Sequence, residues 1–216
     1  MLKRSTILRS VGPAALAALL APVLVVAVPA PAGAEVSAQE AADFIQRTGG
    51  QLAATIGGAG SIDEKRRRIA PFMAEVVDVN GVARFCLGRF WRVATPEQRE
   101  AYLRLFHEVL ANSIVGRLGQ YEGQAAQVVV GRPEQRAEGI YVPTSVTRPN
   151  NRPVMVSWLV VTEGGRPLIG DVIAEGISLR LVQRNDYASY ITRNGNDIGA
   201  LIRALEEQVS RGAGIR

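Results

Sequence analysis

Apolar residues recur at helical spacing through the first half of the chain and then, for a stretch, at every second position, so helices give way to a sheet. Ser37 is placed to cap a helix over about 37–56, with Ala41, Phe44, Ile45, Leu52 and Ile56 on one side and Gly57-Gly58-Ala59-Gly60 at its end. Ser61-Ile62-Asp63-Glu64 opens a second helix carrying Ile69, Phe72, Met73, Val76 and Val77. Asp78-Val79-Asn80-Gly81 reads as a turn or as a junction to a short helix over 82–87. A long helix over about 96–121 follows, with Tyr102, Leu103, Phe106, Val109, Leu110, Ile114 and Leu118 recurring along it.

After Gly123 the period changes. Residues 127–130 are a short apolar run, 140–147 alternate through Ile140, Val142, Thr144 and Val146, and 154–162 follow as a third strand. Glu163-Gly164-Gly165-Arg166 is a hairpin connection into a fourth strand over 167–173. The third strand has Val154, Val156, Trp158 and Val160 on one face and Met155, Leu159 and Val161 on the other, so both sides of the sheet need cover. Helices supply that cover, or a bound apolar ligand does. Two further helices, over about 178–192 and 197–209, close an α+β plan of helices, antiparallel meander and helices.

Between the helical segments lies a dense aromatic and basic knot, Arg84-Phe85-Cys86-Leu87-Gly88-Arg89-Phe90-Trp91-Arg92, ahead of a helix start in which Thr95 caps, Pro96 leads and Gln98 completes the capping box. The plain expectation is that Phe85, Leu87, Phe90 and Trp91 plug a core while the arginines pair with acids outside.

Composition changes the picture at the amino terminus. Lys3, Arg4 and Arg9 precede an apolar run over 14–28, then Pro29-Ala30-Pro31 and the small residues Ala32-Gly33-Ala34, the pattern of a cleaved export signal over 1–34 ahead of a single domain over 35–216. The formal net charge of +5 then falls to about +2, because those three cations leave with the signal and no acid does. Lys65-Arg66-Arg67-Arg68 is the densest basic run and follows Asp63-Glu64, a solvated helix face rather than a nucleic-acid footprint. Cys86 is the single cysteine and His107 the single histidine, which leaves little for a metal site or a nucleophile–base pair, and phosphate-binding loops and nucleophile elbows are absent. The reading is of a protein without catalytic residues, metal or cofactor.

Taken together, Leu87-Gly88-Arg89 with Trp91-Arg92, the Thr95-Pro96-Glu97-Gln98 helix start, Phe106, and the meander closing on Gly170-Asp171-Val172 and Glu175-Gly176-Ile177-Ser178-Leu179 resemble the MlaC, or toluene-tolerance, family. The resemblance runs from about Ala41 to Leu205. It departs at Asn185 to Tyr190, where a Phe is expected near Tyr187 or Tyr190, and at Cys86, where a small residue is usual. It implies an NTF2-like or cystatin-like sheet with an apolar cavity between sheet and helices. It further implies a periplasmic carrier of phospholipid within an ABC transport system that maintains outer-membrane lipid asymmetry, exchanging cargo with inner- and outer-membrane complexes. The wall residues it suggests are Phe72, Met73, Phe106, Leu110, Val128, Val130, Val142, Val154, Val156, Trp158, Leu159 and Val172. Arg89, Arg92 and Asp171 become docking residues, or else an internal ion pair between knot and meander. A hopanoid or other terpenoid cargo, and a filled-core adaptor that binds a protein by its surface, are the competing readings.

Overall fold

Short polar side chains start the helices where the sequence places them. The computed structural model describes residues 35–57, 61–118, 127–147 and 152–212; the expected export signal, the Gly58–Gly60 helix end, and the long helix beyond Leu118 lie outside them. The first helix, α1 (Ala38–Gly57), opens with Ser37 and Glu40 exchanging backbone and side-chain bonds of 2.8 and 3.2 Å. Ser61 and Glu64 form the same reciprocal box at the start of α2 (Ile62–Val76). Asp78 caps α3 (Val79–Leu87), so the Asp78–Gly81 junction is a helix start and not a free turn. Gly88, at φ +58°, ends it, and a single turn, α4 (Phe90–Val93), leads to α5 (Pro96–Leu118), with Thr95 and Gln98 bonded at 3.0 and 3.2 Å.

The sheet has β1 (Gln127–Val130), β2 (Glu134–Arg136), β3 (Gly139–Thr147), β4 (Val154–Glu163), β5 (Arg166–Ala174) and β6 (Ile177–Ser178), in the order β1-β3-β4-β5-β6 with β2 also on β3. All of these pairings are antiparallel. The four expected strands are present as a meander. The two further strands, β2 and β6, are too short to show alternation in sequence. They are held by pairing to β3 and β5. Between Leu159 and Val160 the register shifts, so that Leu159 faces Asp171 and Val160 faces Ile169, with Gly170 as the extra residue. A side chain at Gly170 would come within 2.9 Å of Val161, so the bulge needs glycine.

Helices α6 (Leu179–Arg193) and α7 (Ile198–Ser210), capped by Ser178 and Asp197, complete the chain. Among the described residues two large apolar cores result, with a small third one where Leu52, Met73 and Ile114 pack on the buried Ile69. The first large core is all-helical and joins α3, α4, α5, α6 and α7 through Leu87, Phe90, Tyr102, Phe106, Tyr187 and Ile191 among others. Its ring trio has Tyr102, Phe106 and Tyr187 with centroids 5.8 to 6.5 Å apart. Leu105 belongs to this core as well, because α5 packs against α2 on one side and α7 on the other. The second core lies between α1, the end of α2 and one face of the sheet.

Candidate functional site

Alternation along each strand and the pairing register assemble four rows of side chains on that sheet face. Ile140, Val160 and Ile169 make the first row, and Val142, Trp158 and Val172 the second. Val130, Thr144, Val156 and Ala174 make the third, and Val128, Val146 and Val154 the fourth. Ala41, Phe44 and Ile45 of α1 and Val76 of α2 pack on this face, with Phe72 beside them. Burial then falls from row to row. The first row is buried throughout; in the second Val142 is buried and Trp158 and Val172 are half-buried; in the fourth Val146 and Val154 are half-buried and Val128 is 48% exposed.

Thr144 is the one hydroxyl side chain in these rows, and it both donates and accepts. It donates to the Val156 carbonyl at 2.9 Å and accepts from the Trp158 indole N–H at 3.0 Å. The indole therefore presents its apolar body to the site with its polar handle satisfied. The surface can hold a hydrocarbon and has no polar group seeking a partner.

Eight of the residues that the family resemblance suggested as wall residues meet here: Phe72 from α2 and Val128, Val130, Val142, Val154, Val156, Trp158 and Val172 from the sheet. The other four do not. Met73 and Leu110 line a separate cleft of about 230 Å³ between α2 and α5. Phe106 is 1% exposed inside the helical core, and Leu159 lies on the opposite sheet face, level with Asp171. Val146, Thr144 and the α1 residues Ala41, Phe44 and Ile45 join the site although they were not among the suggested wall residues; alternation along 140–147 and the spacing in the first helix were the signals available.

The knot is organised by rings and carbonyls more than by acids, which corrects the expectation of outside ion pairs. Leu87 and Phe90 do plug the helical core, while Phe85 and Trp91 stay half-buried. Arg84 and Arg99 each stack 5.4 Å from the Trp91 ring, and Arg99 donates to the Trp91 and Arg92 carbonyls. Arg180 and Arg184 lie 4.3 and 5.0 Å from Phe85, and Arg89 lies 4.9 Å from Phe90.

Asp171 does not pair with Arg89 or Arg92. The bulge sets Asp171 in register with Leu159, and its carboxylate accepts from the Ser178 hydroxyl at 2.6 Å, from the Arg180 backbone N–H at 3.1 Å and from Val172 N–H at 2.8 Å. Its ion pair is with Arg180 at 3.4 Å, and Arg180 also reaches Glu138. Arg92 is exposed, and Arg89 donates to the Thr192 hydroxyl at 3.3 Å.

The two nucleophile and base candidates are each occupied elsewhere. Burial pushes the Cys86 thiol up to about 12, and it donates to the Arg180 carbonyl. His107 sits 3.0 Å from the Asn80 side-chain oxygen, with partial burial holding its pKa below the usual value. Among the described residues, acids, cysteine and histidine form no cluster that could hold a metal, and no helix is long and apolar enough to cross a membrane.

Comparison with known proteins gives a consistent set of relatives. The sequence model of the family described as MlaC protein matches residues 46–207. The toluene tolerance protein ttg2D of Pseudomonas putida is 26% identical over 140 residues, which span 64% of this chain and 65% of that protein, slightly under two thirds of its length. Among solved structures, the phospholipid-binding protein from Ralstonia solanacearum, determined in complex with a phospholipid, superposes with a TM-score of 0.69. That match covers 80% of this chain and 98% of the other at 22% identity, a likeness of fold.

Proposed function

The chain belongs to the MlaC family, and on that premise we propose that it is a periplasmic carrier of phospholipid that holds acyl chains against the apolar sheet face. The observation that supports this reading is the gradient of burial across that face: α1 and α2 close off the first row, and the three rows beyond it, Trp158 included, are only partly covered. The same fold occurs in a neighbour determined with phospholipid bound. Complete burial of one sixteen-carbon chain is worth on the order of 12 kcal/mol, at about 0.8 kcal/mol per buried CH₂, and contact with such a surface supplies a share of it. Aliphatic area suffices for that, with Thr144 and Trp158 already satisfying one another.

Affinity from burial of this kind makes unassisted release slow. Hand-over then requires a partner that binds the emptied, opened form better than the filled one. Membrane-bound lipid-transport complexes of the inner and outer membranes fit this role, and an export signal over 1–34 would deliver the chain between them. No catalytic step is assigned, since Cys86 and His107 are engaged by Arg180 and Asn80.

The test is native mass spectrometry with lipid extraction on protein purified from a bacterial periplasm. A stoichiometric phospholipid adduct is expected, and Trp158→Arg should lower its occupancy at least severalfold while thermal unfolding stays cooperative. A hopanoid adduct would keep the carrier and change the cargo. A clean apo mass, with no uptake from liposomes, would leave a filled-core adaptor.

A further inference from the structure

A groove of about 530 Å³ runs along α6 beside the Gly88 turn, away from the proposed acyl-chain residues. Its polar lining is Arg89, Arg184 and Arg193 with the hydroxyls of Ser189 and Thr192, and no acidic residue lines it. Among the described residues none of these three arginines takes part in an ion pair. Arg193, in the last turn of α6, also complements the helix dipole. Arg89 and Arg184 have no such electrostatic role; each is instead held on a ring, Phe90 and Phe85 respectively. Gly88, at φ +58°, lies against the Arg184 side chain: a Cβ there would come within 3.1 Å of its guanidinium. Three arginines and two hydroxyl side chains, one of them (Thr192) accepting from Arg89 at 3.3 Å, therefore line one solvent-open concave space.

We propose that this groove binds a phosphoryl group. Guanidinium forks match the spacing of phosphoryl oxygens and form charge-assisted bonds in pairs. Like charge in a concave wall raises the local potential for an anion. A phosphoryl group reaches the groove as the head group of an anionic membrane surface or as free phosphate and its small esters. The site is distinct from the acyl-chain surface and stands whether or not the chain carries lipid.

The experiment uses two probes, vesicles containing phosphatidylglycerol (against pure phosphatidylcholine) and inorganic phosphate followed by ³¹P line broadening. The wild-type protein should engage at least one probe, and the double substitution Arg184→Gln with Arg193→Gln should weaken that binding by about tenfold or more, since each basic residue near an anionic surface is worth on the order of fivefold. Arg184→Lys, which keeps the charge but loses the fork, should bind more weakly than wild type and more tightly than Arg184→Gln, and Arg166→Gln on the β4–β5 hairpin should match wild type. Vesicle binding that inorganic phosphate competes away identifies the head group as the source; phosphate broadening without vesicle binding identifies the free anion. Should the double variant unfold early, Arg89→Gln provides the same reading. Lipid occupancy by native mass spectrometry should be equal in wild type and variant, which separates this site from the carrier reading. Absence of both signals in wild type, or equal loss in Arg166→Gln, would overturn the proposal.

Discussion

In the helical half, Tyr102, Phe106 and Tyr187 meet tilted or edge to face, and Leu87, Val109 and Ile191 are buried with them. On the sheet, Val130, Val154, Val156 and Val172 are equally apolar and remain half-buried. Each region holds a ring whose polar atom is satisfied: Tyr102 donates to the Ala83 carbonyl at 2.8 Å, as Trp158 does to Thr144 at 3.0 Å. The difference lies in cover. Five helices contribute to the helical core, whereas the sheet face is met by α1 and the end of α2, which bury only its first row completely. An apolar residue in this protein is thus either closed off by the chain or left with area for something else, and its own chemistry does not say which.

The comparison breaks most visibly at Phe106. Phe106→Ala should cost about 3–5 kcal/mol of stability in urea unfolding, because it empties a closed site, while lipid occupancy per folded molecule stays level. A fall in occupancy with little loss of stability would move Phe106 to the ligand side and dissolve the distinction. Asp171→Asn strikes the joint between the regions, where β5 meets α6 through Ser178 and Arg180. Roughly 2 kcal/mol should be lost, since Arg180 keeps its charge without its buried partner; Ser178→Ala should lose less.

Tyr187→Phe sharpens the contrast in the other direction. Its hydroxyl is buried without a hydrogen-bond partner among the described residues, and burial pushes the phenol pKa far above its ordinary value. Removing that oxygen should raise stability by about 1 kcal/mol, readable as a higher thermal midpoint. The smallest effect belongs to His107. Burial holds its folded pKa below the ordinary value of 6.5, so the unfolded chain binds more protons, and stability falls as pH drops through the ordinary value toward the lowered one. Against His107→Gln, the extra loss between about pH 7 and pH 5 should be no more than about 0.5 kcal/mol, measured as the difference in urea midpoints.

Local chemistry alone determined much of this protein. The capping pairs Ser37–Glu40, Ser61–Glu64 and Thr95–Gln98 lie three residues apart, so the helix starts were legible before any contact was known. Alternation in 140–147 and 154–162 placed the central strands and the shared face, and the Gly164-Gly165 hairpin joined them to β5. The motifs around Leu87-Gly88-Arg89 and Gly170-Asp171-Val172 pointed to the family that the residue 46–207 match bears out. Tertiary structure decided what those patterns could not carry. Strands β2 and β6 exist only through partners elsewhere in the chain, and the bulge at Gly170 depends on the β4–β5 pairing. Asp171 found Arg180, nine residues away across a turn, in place of the arginines of the knot. Phe106 and Trp158 look alike as members of apolar stripes, yet one is sealed among helices and the other stands at the edge of its cover. Spacing fixes the face on which a side chain lies; how much of that face is covered is set by the packing of segments far apart in the chain, and local sequence contains no term for it.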